Sequence, residues 1–348
     1  FIMKKILAML LALVMILSLA ACASTPAADT PAESTSTTET PVTETPASAE
    51  ETPAADGKTY TVGVCQLVQH EALDAATQGF VDALTEELGD AVTIDVQNAS
   101  GDSVNCGTIV NGFVSRGVDL IMANATPALT AAVSATADIP ILGTSITAYG
   151  VALDLDDFNG TVGGNVSGTS DLADLQKQAQ MILDWFPETK NVGLLFCSAE
   201  PNSRYQIDEV RKALEAQGVT CEEFAFTDSN DVSSVTQKAA DFSDVVYIPT
   251  DNTAASNTEA IANILIPAGV PAICGEEGLC RGCGVATLSI SYYDLGVTTG
   301  KMAAKILKGE ADISTMPVEY TDATPKYNAS VCEQLGITPL DGYEAIDG

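Results

Sequence analysis

From Lys58 onward, short runs rich in β-branched residues alternate with longer segments whose apolar positions return every three or four residues. This alternation predicts βαβ units and a parallel sheet, because parallel neighbours need a long crossover and a helix fills it. Tyr60 to Gln66 is the first predicted strand, and after it Leu73, Ala76, Phe80, Leu84 and Leu88 share one face of a helix. The series continues with strand Val92 to Val96, helix Asp102 to Ser115, strand Asp119 to Ala123, helix Pro127 to Thr136 and strand Ile139 to Gly143.

The same order returns about 130 residues later, too long a period for a solenoid and suited to a duplicated domain. Val62-Gly63-Val64-Cys65 is echoed by Val192-Gly193-Leu194-Leu195-Phe196-Cys197, and Ser100-Gly101-Asp102 by Ser229-Asn230-Asp231. The run from Asp119 to Thr126 matches Asp244 to Asp251, and Ile139-Pro140-Ile141 matches Val270-Pro271-Ala272-Ile273. Beyond the second copy lie a strand from Val285 to Ile290, a helix from Leu295 to Leu307, a short strand from Pro317 to Tyr320 and a helix near Ser330 to Leu335. The expected fold is therefore α/β with two similar lobes, the first from 58–167 plus 289–315 and the second from 168–288 plus 316–348. Several crossings between lobes make a hinge that opens along one direction.

Ahead of this domain, Met3-Lys4-Lys5 and the apolar run from Ile6 to Leu19 have the form of a signal peptide over 1–21. Leu19-Ala20-Ala21-Cys22 resembles a lipobox, which makes Cys22 the expected lipidation site and the protein an extracytoplasmic one, lipid-anchored to a bacterial cell membrane. An incidental Cys22 or an uncleaved anchor are the alternatives. Residues 22–57 are rich in Ala, Thr, Ser, Pro and Glu, a composition that cannot bury a core and suits a solvated acidic tether.

A formal charge of −32 excludes nucleic acid as a partner, since phosphate binding needs clustered Lys and Arg. Eight cysteines follow Cys22, several inside apolar strand-like runs where a small buried hydrophobe is the plain reading. Cys274, Cys280 and Cys283 cluster in sequence. A disulfide or free thiols rank ahead of a metal there, because three thiolates lack a fourth nearby ligand, and a thiol-redox or metal role for Cys280 and Cys283 stays as an alternative.

Ligands of open parallel sheets bind beyond the carboxyl ends of the strands. In the first lobe those ends carry Gln66, Gln69, His70, Asn124, Thr126, Thr144 and Ser145; in the second, Ser198, Glu200, Asn202, Ser203, Thr250, Asp251, Asn252 and Glu276. Hydroxyls and amides at helix N-termini, such as Thr126, Asn202 and Ser203, favour a carboxylate. Asp251 and Asp294 suit an ammonium, with Tyr292 and Tyr293 as an aromatic wall. The same polar residues also serve as helix caps, and the tyrosines as core. His70 is the only histidine; without a nucleophile elbow or a His-His pair it suits ligand contact or exposure better than catalysis. Gly160, Gly163 and Gly164 do not run from strand to helix as a phosphate loop does, and read as a turn or an interlobe crossing.

Taken together, Gln66 to Asp74, Ala123 to Ala128, Gly163 to Asp171, Pro249 to Thr253, and Tyr292 to Gly296 followed by Thr299 to Lys305 resemble the ABC-transporter substrate-binding proteins of the type I periplasmic-binding fold. The branch is that of tryptophan-binding and other aromatic-amino-acid-binding lipoproteins, and the likeness runs from Tyr60 to Ile337. It implies two Rossmann-like lobes closing on a small solute, with an ABC permease and its ATPase as partners and no cofactor, metal or catalysis. It also implies Gln66, His70, Thr126, Ser198, Asn202, Ser203, Asp251, Asn252 and Asp294 as cleft lining. A sensor that presents its ligand to a membrane receptor has the same sequence features. Cys65 departs from the pattern, where a serine is common, as does the cysteine-rich loop from Glu277 to Cys283.

Overall fold

Strand β1 (Tyr60–Gln66) buries every residue except Thr61 because helices cover both faces of its sheet. The computed structural model describes residues 57–346; the apolar leader, Cys22 and almost all of the tether lie outside the described residues. Around β1 run β2 (Val92–Asn98), β3 (Leu120–Asn124), β4 (Ile141–Ile146) and β5 (Val166–Ser170), in the order β5-β4-β3-β1-β2, all parallel. Helices α1 (Glu71–Leu88), α2 (Ser103–Arg116), α3 (Thr126–Ala135) and the short α4 (Tyr149–Ala152) make the connections. Four of the five apolar positions read as one helical face are buried on α1; Leu88 packs at the edge of the cluster that holds Phe80 and Leu84.

The second lobe repeats the plan. Its strands are β6 (Asn191–Cys197), β7 (Thr220–Phe226), β8 (Val245–Ile248), β9 (Ala272–Cys274) and β10 (Ala286–Ser289), parallel and in the order β10-β9-β8-β6-β7. Helices α5 (Leu175–Trp185), α6 (Pro201–Glu215), α7 (Val232–Phe242), α8 (Asn252–Ala255), α9 (Thr258–Ala268) and α10 (Glu277–Cys283) flank it. The last segment is divided between the lobes. Helix α11 (Tyr292–Leu307) packs on α1, and β11 (Glu319–Tyr320) joins β5 of the first sheet. Strand β12 (Thr324–Tyr327) pairs antiparallel with β10, α12 (Ala329–Leu335) follows, and β13 (Glu344–Ala345) closes the second sheet.

The chain thus crosses between lobes three times, at Asp171 to Asp174, at Ile290 and Ser291, and at Thr321 to Ala323. Sheet pairing carries the first lobe through Ser170 and again through Tyr320, past the limits of 167 and 315 read from the sequence. The reason is local. Gly168 sits at φ 143° inside β5, with no side chain to show alternation, and β11 has only two paired residues.

Close packing of α11 on α1 explains three glycines. A Cβ on Gly79 would stand 2.1 Å from the Tyr293 carbonyl oxygen, one on Gly296 2.0 Å from that of Ala76, and one on Gly300 2.7 Å from that of Phe80. The two backbones touch, which fixes α11 to the first lobe just after the second crossing.

Candidate interlobe binding site

The carboxyl ends of β6 and β8 bring together the densest polar cluster of the second lobe. Glu200 precedes α6 and is 5 % exposed. Its Oε2 accepts from the Asn252 backbone N–H (3.0 Å), the Asn252 side-chain amide (2.7 Å) and Asn202 Nδ2 (3.1 Å); its Oε1 accepts from the Thr253 N–H (2.9 Å) and hydroxyl (2.8 Å). Beside it Asp251 caps α8, accepting from the Ala254 N–H at 2.8 Å and from the Cys197 N–H at 2.6 Å. Burial, and secondarily the Glu200 charge, push the Asp251 carboxyl up to about 8, while these N–H groups and the Ser203 hydroxyl pull it back. Asn202 also donates to the Thr250 carbonyl at 3.2 Å, and its buried Oδ1 has no hydrogen-bond partner among the described residues.

In the first lobe, Gln66 is tied up by its neighbours. It donates to Asp74 Oδ1 (2.6 Å) and the Val68 carbonyl (2.9 Å) and accepts from Thr77 Oγ1 (2.6 Å). Asn124 donates to the Leu73 carbonyl (2.8 Å) and to Thr77 (2.9 Å), leaving its buried Oδ1 unpartnered among the described residues. Next to it the backbone is strained: Ala125 at φ 87° and Ser145 at φ 56° occupy a region L-residues avoid, at the ends of adjacent strands. Ser145 Oγ is buried and also unpartnered among the described residues, and Thr126 is buried beside Ala125.

The lobes meet through named pairs. His70 Nε2 lies 3.3 Å from Asn252 Oδ1, and Arg281 Nε donates to Glu71 at 2.9 Å. Burial lowers the His70 imidazole below its usual range, against the opposing pull of Asn252, Glu200 and Asp74. Around these contacts lie cavities lined from both lobes. One of about 380 Å³ is lined by Leu67, Val68, Ser103 and Pro127 facing Ala199, Glu200, Asn252 and Thr253. Another, of about 260 Å³, lies between His70, Glu71, Ser256 and Glu276. A third, of about 510 Å³, sits near the crossings, with Tyr149, Phe158, Tyr205 and Tyr320 around it.

Not every residue expected in the cleft faces it. Asp294 is exposed in the first turn of α11, and no contact among the described residues joins it to the set. Tyr292 is buried, donating to Asp171 at 2.9 Å, and Tyr293 donates to Asp82 at 3.0 Å, so neither walls a cation at Asp294. Ser198 is exposed and donates to the Phe226 carbonyl at 3.1 Å. Glu200, named only among strand-end residues, proves the organiser of the second lobe's cluster; a carboxylate just before a Pro-initiated helix is the signal that marks it.

Cys280 and Cys283 are both buried on α10 against Cys274, and burial pushes the Cys274 and Cys280 thiols well up. Such thiols are poor nucleophiles.

The family described as ABC transporter substrate binding protein matches residues 61–342. A tyrosine-binding protein from Clostridioides difficile (strain R20291) is 33% identical over 284 residues, covering 80% of this chain and 81% of its own length. Among solved structures, an ABC domain from Streptococcus pneumonia in complex with L-Trp is 32% identical, with a TM-score of 0.79, covering 83% of this chain and 100% of that one. The ligand-free, open structure of a substrate-binding protein with adhesive properties from Clostridium difficile is 34% identical and covers 83% of this chain and 99% of its own, with a TM-score of 0.64. At nearly equal identity and coverage, the TM-score is higher to the L-Trp complex than to the ligand-free, open structure. The chain belongs to the family of ABC transporter substrate-binding proteins.

Proposed function

We propose that this chain is the extracytoplasmic receptor of an ABC importer, that its solute is an aromatic amino acid, and that it delivers that solute to a permease driven by an ATPase. The observation that carries the reading is a set of polar atoms at the strand ends of both lobes. His70 Nδ1, Asn124 Oδ1, Ser145 Oγ and Asn202 Oδ1 are buried with no hydrogen-bond partner among the described residues. Burying such atoms unpaired costs about 1 to 3 kcal/mol each, so a bound molecule that pairs them recovers that free energy. The imidazole nitrogen and the two amide oxygens are acceptors and suit the ammonium of an amino acid, while the Ser145 hydroxyl can donate to its carboxylate. The aromatic class is supported by relatives named for tyrosine and L-Trp at 33% and 32% identity.

The reading requires no bond to be made or broken on the solute, and it makes the lobes' closing the working step. Gln66, His70, Thr126, Asn202, Ser203, Asp251 and Asn252 line or support the site, with Gln66 and Asp251 acting through the neighbours they hold. Lipid on Cys22 and the tether up to residue 57 keep the receptor at the membrane.

Calorimetric titration with tyrosine, tryptophan and phenylalanine, set against leucine and glutamate, tests the solute class. Saturable binding to one or more of the first three and none to the last two is expected; silence to all three aromatics refutes it. Intact mass of the native protein tests Cys22, with the diacylglyceryl increment expected.

A further inference from the structure

The first turn of α1 meets the second lobe at Glu71. Its carboxylate takes Arg281 Nε at 2.9 and 3.1 Å, joining residues 210 positions apart. The approach is close, since a Cβ built on Gly278 stands 3.3 Å from the Glu71 Cβ. The His70–Asn252 contact lies next to it. Arg281 is held from its own side as well: Nη2 donates to Glu277 at 2.8 Å, and the other Glu277 oxygen takes Lys326 Nζ at 2.5 Å. The guanidinium is therefore oriented within the second lobe, and Glu71 on the first lobe has only to arrive. Glu71 also lies where the free N–H groups of α1 favour a negative charge.

We propose that Glu71 and Arg281 form a latch between the lobes that lengthens the residence of the bound solute without touching it. The latch rests on the receptor reading and adds to it the residues that set the balance between open and closed. A solute enclosed by two lobes leaves when they part, so a contact made only in the closed arrangement slows release and leaves capture little changed. Glu71 and Arg281 are 51% and 33% exposed, so the effect has the size of a partly exposed ion pair: about two- to fivefold in dissociation rate, shrinking with salt.

A double-mutant cycle tests it, with Glu71→Gln, Arg281→Gln and the pair together. The dissociation rates of tyrosine and tryptophan are followed by stopped flow. The separation of labels on exposed Val104 of the first lobe and exposed Asp241 of the second is measured without ligand. Each single variant is expected to release about two- to fivefold faster, with the double no worse than the singles and the label distribution moved toward open. Unchanged rates and separations, or strictly additive effects, overturn the latch. If the parent protein binds no aromatic amino acid, the solute reading fails by itself and the label separations still decide the latch. Thermal midpoints within a few degrees of the parent exclude unfolding as the cause.

Discussion

Glu200 and Asn252 are bonded twice, through the Asn252 backbone N–H at 3.0 Å and its side-chain amide at 2.7 Å. Because the amide group is spent on Glu200, Asn252 presents its carbonyl oxygen to His70 in the other lobe. That oxygen accepts, so in the neutral imidazole Nε2 carries the proton and Nδ1 is left as an acceptor. One buried carboxylate in the second lobe thereby sets the tautomer of a histidine in the first.

Glu200→Gln turns a charged acceptor into a group whose NH2 faces donors. Hydrogen bonds to a charged group are worth about 1.5 to 3 kcal/mol, so the variant is expected to bind its solute at least about tenfold more weakly while staying folded. Calorimetry alongside a melting curve checks this; full affinity in a folded variant removes Glu200 from its organising role.

Gly296→Ala forces a methyl to within 2.0 Å of the Ala76 carbonyl oxygen, which belongs to a helix and cannot swing aside. Overpacking of this kind costs about 1 to 3 kcal/mol, and contact with backbone puts the change at the upper end. Gly107 is the control. It lies within α2 with nothing within 4 Å of its Cβ position, so Gly107→Ala should stabilise by about 0.5 to 1 kcal/mol. Urea unfolding of both variants reads the contrast, and equal midpoints would contradict the backbone contact.

Asp251 gives a pH dependence of stability. In the unfolded chain it ionises near 4, and in the folded protein burial and the Glu200 charge raise it to about 8. Between those values the folded state holds a proton that the unfolded chain has lost. The contribution is therefore complete below about pH 4 and is lost as pH rises toward 8, at up to about 1.4 kcal/mol per pH unit. Asp251→Asn is expected to flatten the fall in urea midpoint between pH 5 and 8; the same slope in both proteins would show that Asp251 ionises normally.

Much of the fold is legible in the residue pattern because each lobe repeats a simple rule. The apolar face of α1 and the buried β1 read directly, and the offset between Val62 and Val192 places the second lobe. The crossings are harder to read. β5 carries Ser167, Gly168, Thr169 and Ser170 in a fully buried strand, where Thr169 bonds Thr144 and Thr299 across elements. Polar residues that pair only in three dimensions look like a loop in one. The cleft shows the same limit: Asp294 and Asp251 both precede or open helices, yet one is exposed and the other 1 % exposed. Sequence supplies the residue type at a strand end or helix start; the direction of the side chain depends on the packing of the neighbouring element.

His70 is expected to couple solute affinity to pH through closure. An imidazole that meets water keeps the ordinary histidine range. In the closed arrangement burial lowers it, with Glu200 and Asp74 as the acidic groups facing it and Asn252 as its bonded partner. Closing therefore favours the neutral ring. Where the ring is neutral in both arrangements affinity is level; as pH falls through the ordinary imidazole range a proton must leave before the lobes meet, and affinity falls by as much as tenfold per pH unit. His70→Gln keeps a donor for Asn252 and has nothing to titrate, so its profile should stay flat from pH 5.5 to 8. Dissociation constants for tyrosine and tryptophan across that range decide the matter, and parallel profiles for the parent and the variant would place the pH-sensitive group elsewhere.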